Sequence, residues 1–320
     1  MKTRVHLLAA ALALAGAGPG FAQDRNIPVP AAELERMLRS EPLRIVSGRI
    51  SRPKAEGDIT LKAEVAFGDR APLTIKVRRA EPGAEVFNNV PRYDLAAYEL
   101  QKLLMDGPEY VVPPTAWRML PLAQLRAFAP SARATFKGAD EVLCVLQYWL
   151  QDVVNPDDVL DPALLKSDAV YERHVGQLNV LTYLIRHRDS NVGNFLVSAE
   201  PRGARVFAVD NGVAFDSEDS DRGEAWKAMR VKRLPADVVE RLRGLTEDGL
   251  RSRLGVLGQW QLSEGHYLPV PPGANLASRS GVRRKGDSLQ MGLTEREIAG
   301  VRDRAKRLLE MIDGREIVAF

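Results

Sequence analysis

The chain has 320 residues, enough to bury a sizeable core in one large domain or two lobes, and its 45% hydrophobic and 27% charged content is ordinary for a globular protein. The formal net charge of +3 falls to +1 once Lys2 and Arg4 are removed with a leader, too near neutral to argue for nucleic acid. The single cysteine, Cys144, excludes an internal disulfide, so the core must supply the stability.

Residues 1–22 have the layout of a secretory signal of bacterial style. Lys2 and Arg4 form a positive start, Val5 to Ala17 is apolar, and Gly20-Phe21-Ala22 offers a small-x-small cleavage site. The apolar run is too short for a membrane span and no later stretch qualifies, so the mature protein is expected to be periplasmic or extracellular, with no integral span. Residues 23–40 form an extension in which Leu34, Met37 and Leu38 recur at helical spacing.

Leu43 to Ser51, Ile59 to Phe67 and Pro72 to Arg78 are rich in β-branched residues and separated by Gly and Pro, which predicts three antiparallel strands. The third contains Ile75-Lys76-Val77. Gly48 to Gly57 could be a hairpin, with Arg49, Arg52 and Lys54 either covering an anion or standing as exposed turn charges. Asp94 to Met105 reads as a helix with Leu95, Tyr98, Leu103 and Leu104 on its apolar side. Val112-Pro113-Pro114 stops helix and leads into strand. Val142 to Leu150 is a continuous apolar strand that buries Cys144 as a core thiol, and Leu150 to Pro156 is expected to be a hinge.

Beyond residue 150 the pattern is mostly helical. Ala169 to Ile185 is a long buried helix on which His174 is a packed residue. Phe195 to Val197 and Arg205 to Val209 form a hairpin. Two helices are expected over Ala236 to Leu245 and Glu247 to Leu257. Ser263 to Gly292, rich in Pro, Gly and Ser and carrying Arg283-Arg284-Lys285, is expected to be a mobile loop or a substrate arm. Thr294 with Glu297 forms a capping box for a last helix through Met311.

The stretch Leu184 to Asp216 carries the chemistry. A helix runs into His187-Arg188-Asp189, Asn194 follows the aspartate by five positions, and a strand then ends in Asp210-Asn211-Gly212. Phosphoryl transfer needs a carboxylate to orient the attacking hydroxyl, with an amide and a second carboxylate to hold magnesium against the phosphates. The pattern is similar to the protein-kinase loop H-R-D-x-x-x-x-N followed by D-F-G, the latter standing here as D-N-G. The alternative is a polar turn leaving a helix, with Asp189 and Asn194 as caps and turn formers.

Together with Asp94-Leu95-Ala96-Ala97-Tyr98-Glu99-Leu100 and Val112-Pro113-Pro114, the order of segments over residues 40–220 resembles the atypical secreted kinases of the Golgi casein-kinase and four-jointed type, and the phosphatidylinositol-kinase and HipA-like folds. The last third has no counterpart. The resemblance implies an α+β, two-lobed protein-kinase-like fold: a small antiparallel β-sheet N-lobe over residues 41–150 and a mostly helical C-lobe over 151–320. It implies Asp189 as catalytic carboxylate, Asn194 and Asp210 as metal ligands, and Lys76 as the lysine pairing with the nucleotide phosphates. Asp94 would be the helix acid holding Lys76, with Glu99 as the other candidate.

ATP with Mg2+ or Mn2+ is then the expected cofactor set, and phosphate would pass to a hydroxyl of a protein, lipid or small molecule. Two alternatives keep the fold: a catalytically silent pseudokinase scaffold, suggested by the scarcity of ATP outside the cytoplasm, and a transferase of AMP. The chain departs from the secreted branch at two places: the helix acid is Asp94 where those kinases carry Glu, and Ser190-Asn191 replaces Arg-His after the catalytic aspartate.

Overall fold

Why residues 25–150 build a sheet is visible in their alternation. A computed structural model describes residues 25–51, 58–80, 90–215 and 223–320; the leader of residues 1–22 and the tip of the 48–57 hairpin lie outside them. The first helix, α1 (Ala31–Ser40), buries Leu34, Met37 and Leu38. Strands β1 (Leu43–Ile50), β2 (Thr60–Phe67) and β3 (Leu73–Arg79) follow. In β2 every second residue is buried, so one face meets the core while the other meets solvent.

Helix α2 (Pro91–Gln101) begins three residues earlier than its apolar spacing suggests, because Pro91 occupies a first-turn position where its fixed φ and missing N–H cost nothing. All eleven of its residues are buried. Strand β4 (Thr115–Pro121), helix α3 (Leu122–Arg126) and strand β5 (Glu141–Tyr148) complete this part. The five strands form one antiparallel sheet in the order β1-β2-β3-β5-β4. Cys144 is fully buried on β5, and burial pushes its thiol up to about 12, so it remains a protonated core group.

The connection after β5 leads into β6 (Val153–Val154), α4 (Pro162–Ser167) and α5 (Ala169–Ile185). Asp168 caps α5 by accepting from the N–H groups of Val170 and Tyr171, both at 3.0 Å. His174 lies buried on this helix, and desolvation lowers it to about 3, so it is a neutral packed imidazole. Strands β7 (Phe195–Ser198) and β8 (Val206–Ala208) join β6 in a small antiparallel sheet. Strand β9 (Arg233–Leu234) precedes helices α6 (Ala236–Arg243) and α7 (Glu247–Leu254).

The stretch expected to be a loop or a substrate arm instead supplies most of a four-stranded sheet. Strands β10 (Gly258–Ser263), β11 (His266–Val270), β12 (Val282–Lys285) and β13 (Ser288–Met291) pair in the order β11-β10-β13-β12. The β10–β11 hairpin turns on Glu264 and Gly265, both at positive φ, as a two-residue turn matched to strand twist requires. Arg283 is not an exposed arm cation. It is buried and ties together carbonyls, donating to Ala277 at 2.9 Å, Ser280 at 2.7 Å and Leu293 at 2.6 Å.

Helix α8 (Glu295–Asp313) carries the capping box of Thr294 and Glu297, and β14 (Val318–Ala319) pairs with β9. The C-terminal sheet packs back on the first one. Trp260 stacks on Trp117 at 5.5 Å, Tyr267 on Phe136 at 4.9 Å, and the Tyr267 N–H donates to the Glu141 carboxylate at 2.8 Å. Helix α2 is fastened to α8 as well: Arg92 holds Glu297 through two nitrogens at 2.6 and 2.8 Å, with both side chains buried. The architecture is α+β with antiparallel sheets. Among the described residues no helix is long and apolar enough to cross a membrane.

Candidate active site

A cleft of about 520 Å3 lies between the five-stranded sheet and the hairpin of β7 and β8. Lys76 and Arg78 of β3 and Gln147 of β5 form its sheet side, and Gly193, Asn194 and Asp210 face them from the loops. Ser51 and Asp58, at the turn end of the β1–β2 pair, also line it. The boundary expected at residue 150 and the hinge expected over 150–156 also touch the cleft. There Tyr148, Trp149, Leu150 and Val153 line the wall. Asn26 clasps this connection from outside, donating to the carbonyls of Gln151 at 2.9 Å and Asp152 at 3.0 Å.

The loops are aimed by one chain reversal. Arg186 ends α5 in the left-handed region at φ 53°, a conformation that costs a non-glycine residue about 1 kcal/mol and therefore needs support from its surroundings. The reversal lays His187 to Asp189 alongside residues 210–213, where the Arg188 N–H donates to the Val213 carbonyl at 2.9 Å. His187 is fully buried and joins the two loops. Its Nδ1 faces the Asp189 N–H at 3.4 Å, so its Nε2–H donates to the Asp210 carbonyl at 3.0 Å. Burial lowers its pKa, outweighing the hydrogen bond to Asp210 and nearby carboxylates, which keeps it in that neutral form.

Of the residues singled out in the sequence, Lys76, Asn194 and Asp210 meet in the cleft. The Lys76 Nζ lies 3.8 Å from Asp210 Oδ2 and 3.4 Å from the Val209 carbonyl oxygen. Asn194, which lines the cleft, donates from its Nδ2 to the Asp189 carbonyl at 3.0 Å. Asp189 is buried on the same loop and accepts from the Asn191 N–H at 3.3 Å, but it does not line the cleft. The next residues, Ser190 and Asn191, face a smaller pocket of about 300 Å3 shared with Asp158, Trp226 and Arg230.

Two assignments are corrected. Asp94 does not hold Lys76; its Oδ2 lies 2.8 Å from Arg78 Nη1, and the same nitrogen lies 3.2 Å from Asp210 Oδ1. The cause is strand geometry. Positions 76 and 78 point to one face, and the residue farther along β3 is the one that reaches α2. Glu99 does not reach Lys76 either. It sits on another side of α2 and pairs with Lys102 at 2.7 Å and Arg253 at 3.3 Å. Both carboxylates are buried, and a buried charge needs a partner, which each finds locally.

Arg78 is the residue the sequence did not flag. It is 95% buried and bridges strand, helix and loop. Burial opposes its charge, but Asp210, Asp94 and Asp58 outweigh that and raise its pKa. The other Asp94 oxygen accepts the Asn211 N–H at 2.8 Å, so one carboxylate fixes both the arginine and the loop. Gly212 leaves room for this arrangement, because a Cβ there would lie 3.0 Å from the Arg78 guanidinium and press on it. That contact gives the glycine of Asp210-Asn211-Gly212 a physical reason. An arginine alternating with a lysine on β3 was the available signal.

The donor set suits a hard cation. Asp210 is one-third exposed and offers a carboxylate, and Asn194 offers an amide oxygen, both ligand types of Mg2+ and Mn2+. Among the described residues no cluster of three or more His, Cys, Asp or Glu side chains could hold a metal. The chain matches no protein-family model and no curated protein sequence.

Proposed function

We propose that this protein is an exported, metal-dependent phosphotransferase of two-lobed, protein-kinase-like architecture that uses ATP. The resemblance to the atypical secreted kinases and to phosphatidylinositol-kinase and HipA-like folds belongs to the same proposal. The observation that carries it is convergence. Lys76, Asn194 and Asp210, up to 134 positions apart, line one cleft between a five-stranded antiparallel sheet and the loops around the β7–β8 hairpin, with Asp94 tied to Asp210 through Arg78.

In this reading Lys76 binds phosphate oxygens, Asn194 and Asp210 hold Mg2+ or Mn2+, and Asp189 orients the acceptor hydroxyl and takes its proton. The bound cation would supply charge neutralisation at the transferring phosphate. Acceptors from protein, lipid and small-molecule classes all carry a suitable hydroxyl. The small pocket at Ser190 and Asn191, beside Asp189, is the place for it.

The test is a thermal-melting titration of purified protein with ATP and Mn2+. Melting should rise with both together, and Asp210→Ala should remove the rise. The absence of a shift with any nucleotide would sink the proposal.

One observation favours a second reading, a nucleotide-binding scaffold without turnover. Both Asp210 oxygens face cations, Arg78 at 3.2 Å and Lys76 at 3.8 Å, that compete with a metal. Transfer of label from ATP that is lost in Asp189→Asn decides for the enzyme. The mass added to the product separates phosphate from AMP transfer.

A further inference from the structure

Gln147, the last residue but one of β5, is 96% buried, and it lines the cleft opposite both Lys76 and Thr115 in the sheet. Its Nε2 lies 3.1 Å from Thr115 Oγ1, and that hydroxyl lies 2.7 Å from the Pro113 carbonyl oxygen. A carbonyl only accepts, so the single hydroxyl hydrogen goes to Pro113. Thr115 Oγ1 can therefore meet Gln147 only as an acceptor, and the amide nitrogen is the end that must face it. The two ends of an amide have nearly the same shape, and here the hydrogen-bond chain decides between them.

The Gln147 Oε1 is consequently presented as an acceptor, and among the described residues no donor is recorded for it. The same cleft carries the apolar side chains of Leu61, Leu150, Leu196 and Val209, with Lys76 in register with Gln147 on β3. The neighbouring backbone donors are already engaged: the Tyr148 N–H bonds to the Pro114 carbonyl at 2.9 Å and the Trp149 N–H to the Thr74 carbonyl at 3.1 Å.

We infer that Gln147, oriented by Thr115 and Pro113, selects the nucleobase by its exocyclic donor, accepting a 6-amino purine and refusing a 6-oxo purine. The inference rests on the cleft being a nucleotide site. A 6-amino group donates to Oε1, whereas a 6-oxo group sets one acceptor against another in a partly dry wall. A free glutamine would flip its amide to suit either base. Flipping this one has a cost, because Oε1 would face a hydroxyl that could donate to it only by giving up its bond to Pro113.

The experiment compares dissociation constants of ATP and ITP, which differ at position 6 of the purine, in the presence of Mn2+. The native protein should bind ATP at least about tenfold more tightly. Thr115→Val is close to isosteric, frees the amide to turn, and should bring the ratio near one by improving ITP. Thr115→Ser keeps the hydroxyl and should keep the ratio, and Gln147→Leu should lose it through weaker ATP binding. Equal binding of ATP and ITP to the native protein overturns the inference and leaves the nucleotide site standing. Failure of both nucleotides to bind overturns the two together.

Discussion

Arg78→Met is the substitution that most directly probes how the cleft is held together. Methionine fills much of the arginine stem but leaves the Asp94 carboxylate, 3% exposed, without its counter-charge. Removing one partner of a buried pair costs about 3–5 kcal/mol. The lower end applies here, because Asp94 keeps the Asn211 N–H at 2.8 Å and Asp210, 32% exposed, can turn to water. At about 2 °C per kcal/mol for a chain of this length, a loss near 3 kcal/mol lowers the melting temperature by roughly 6 °C.

The second half of the experiment is Arg78→Met with Asp94→Asn. The asparagine oxygen can still accept from Asn211 while the buried charge is gone, so the double variant should recover about 2 kcal/mol of the loss. Urea midpoints at constant slope give both numbers. A cost below about 1 kcal/mol for Arg78→Met, or a double variant no better than the sum of the singles, would refute the claim that this triad organises the site.

Two further outcomes follow from the ion pairs of α2. Glu99→Gln should leave nucleotide affinity within about twofold of native and cost about 1 kcal/mol of stability, since Glu99 serves Lys102 and Arg253; a large loss of affinity by titration would return Glu99 to the site. Glu297→Gln should cost about 3 kcal/mol by isolating Arg92. Burial alone would raise the Glu297 pKa, but the Arg92 guanidinium, the Tyr93 hydroxyl and the Thr294 N–H together hold it below the ordinary 4.5. A depressed acid stabilises the fold above its ordinary pKa and loses that contribution as pH falls through the folded value. The native-minus-variant difference in urea stability should thus be full above about pH 5 and shrink in acid, and a difference that grows in acid would contradict the pairing.

The elements that were legible in the sequence are those whose signal is local. Asp168 before an apolar helical run marks the start of α5, and Thr294 with Glu297 marks α8. Alternation marks β2, and a run of apolar residues marks β5. The sheet of β10 to β13 escaped notice because Pro269 interrupts one strand, eleven irregular residues separate β11 from β12, and the pairing joins Gly258 to Met291. Its visible traces were Glu264-Gly265 and Gly286-Asp287, both two-residue turns between paired strands.

In the site, the spacing from Asp189 to Asn194 and the Asp210-Asn211-Gly212 triplet could be read because each is contiguous. Arg78 could not, since its role depends on which face of α2 meets which end of β3. For the same reason a list of acids on α2 left Asp94 and Glu99 unresolved between two cations on one strand.

The contacts between the C-terminal sheet, α8 and the first sheet bear on how the molecule reaches its folded state. Arg92 meets Glu297 across 205 residues, and Trp117 waits for Trp260. Helix α2, which carries Asp94, thus has no counter-charge for its buried arginine until nearly the entire chain has been made. Such long separations slow folding and expose incomplete intermediates. A fragment ending before Gly258 contains Lys76, Asp94, Asp189, Asn194 and Asp210, yet it lacks Glu297, the counter-charge of the buried Arg92 on α2. A piece cut to the residues that line the cleft would therefore carry a buried arginine with its counter-charge missing.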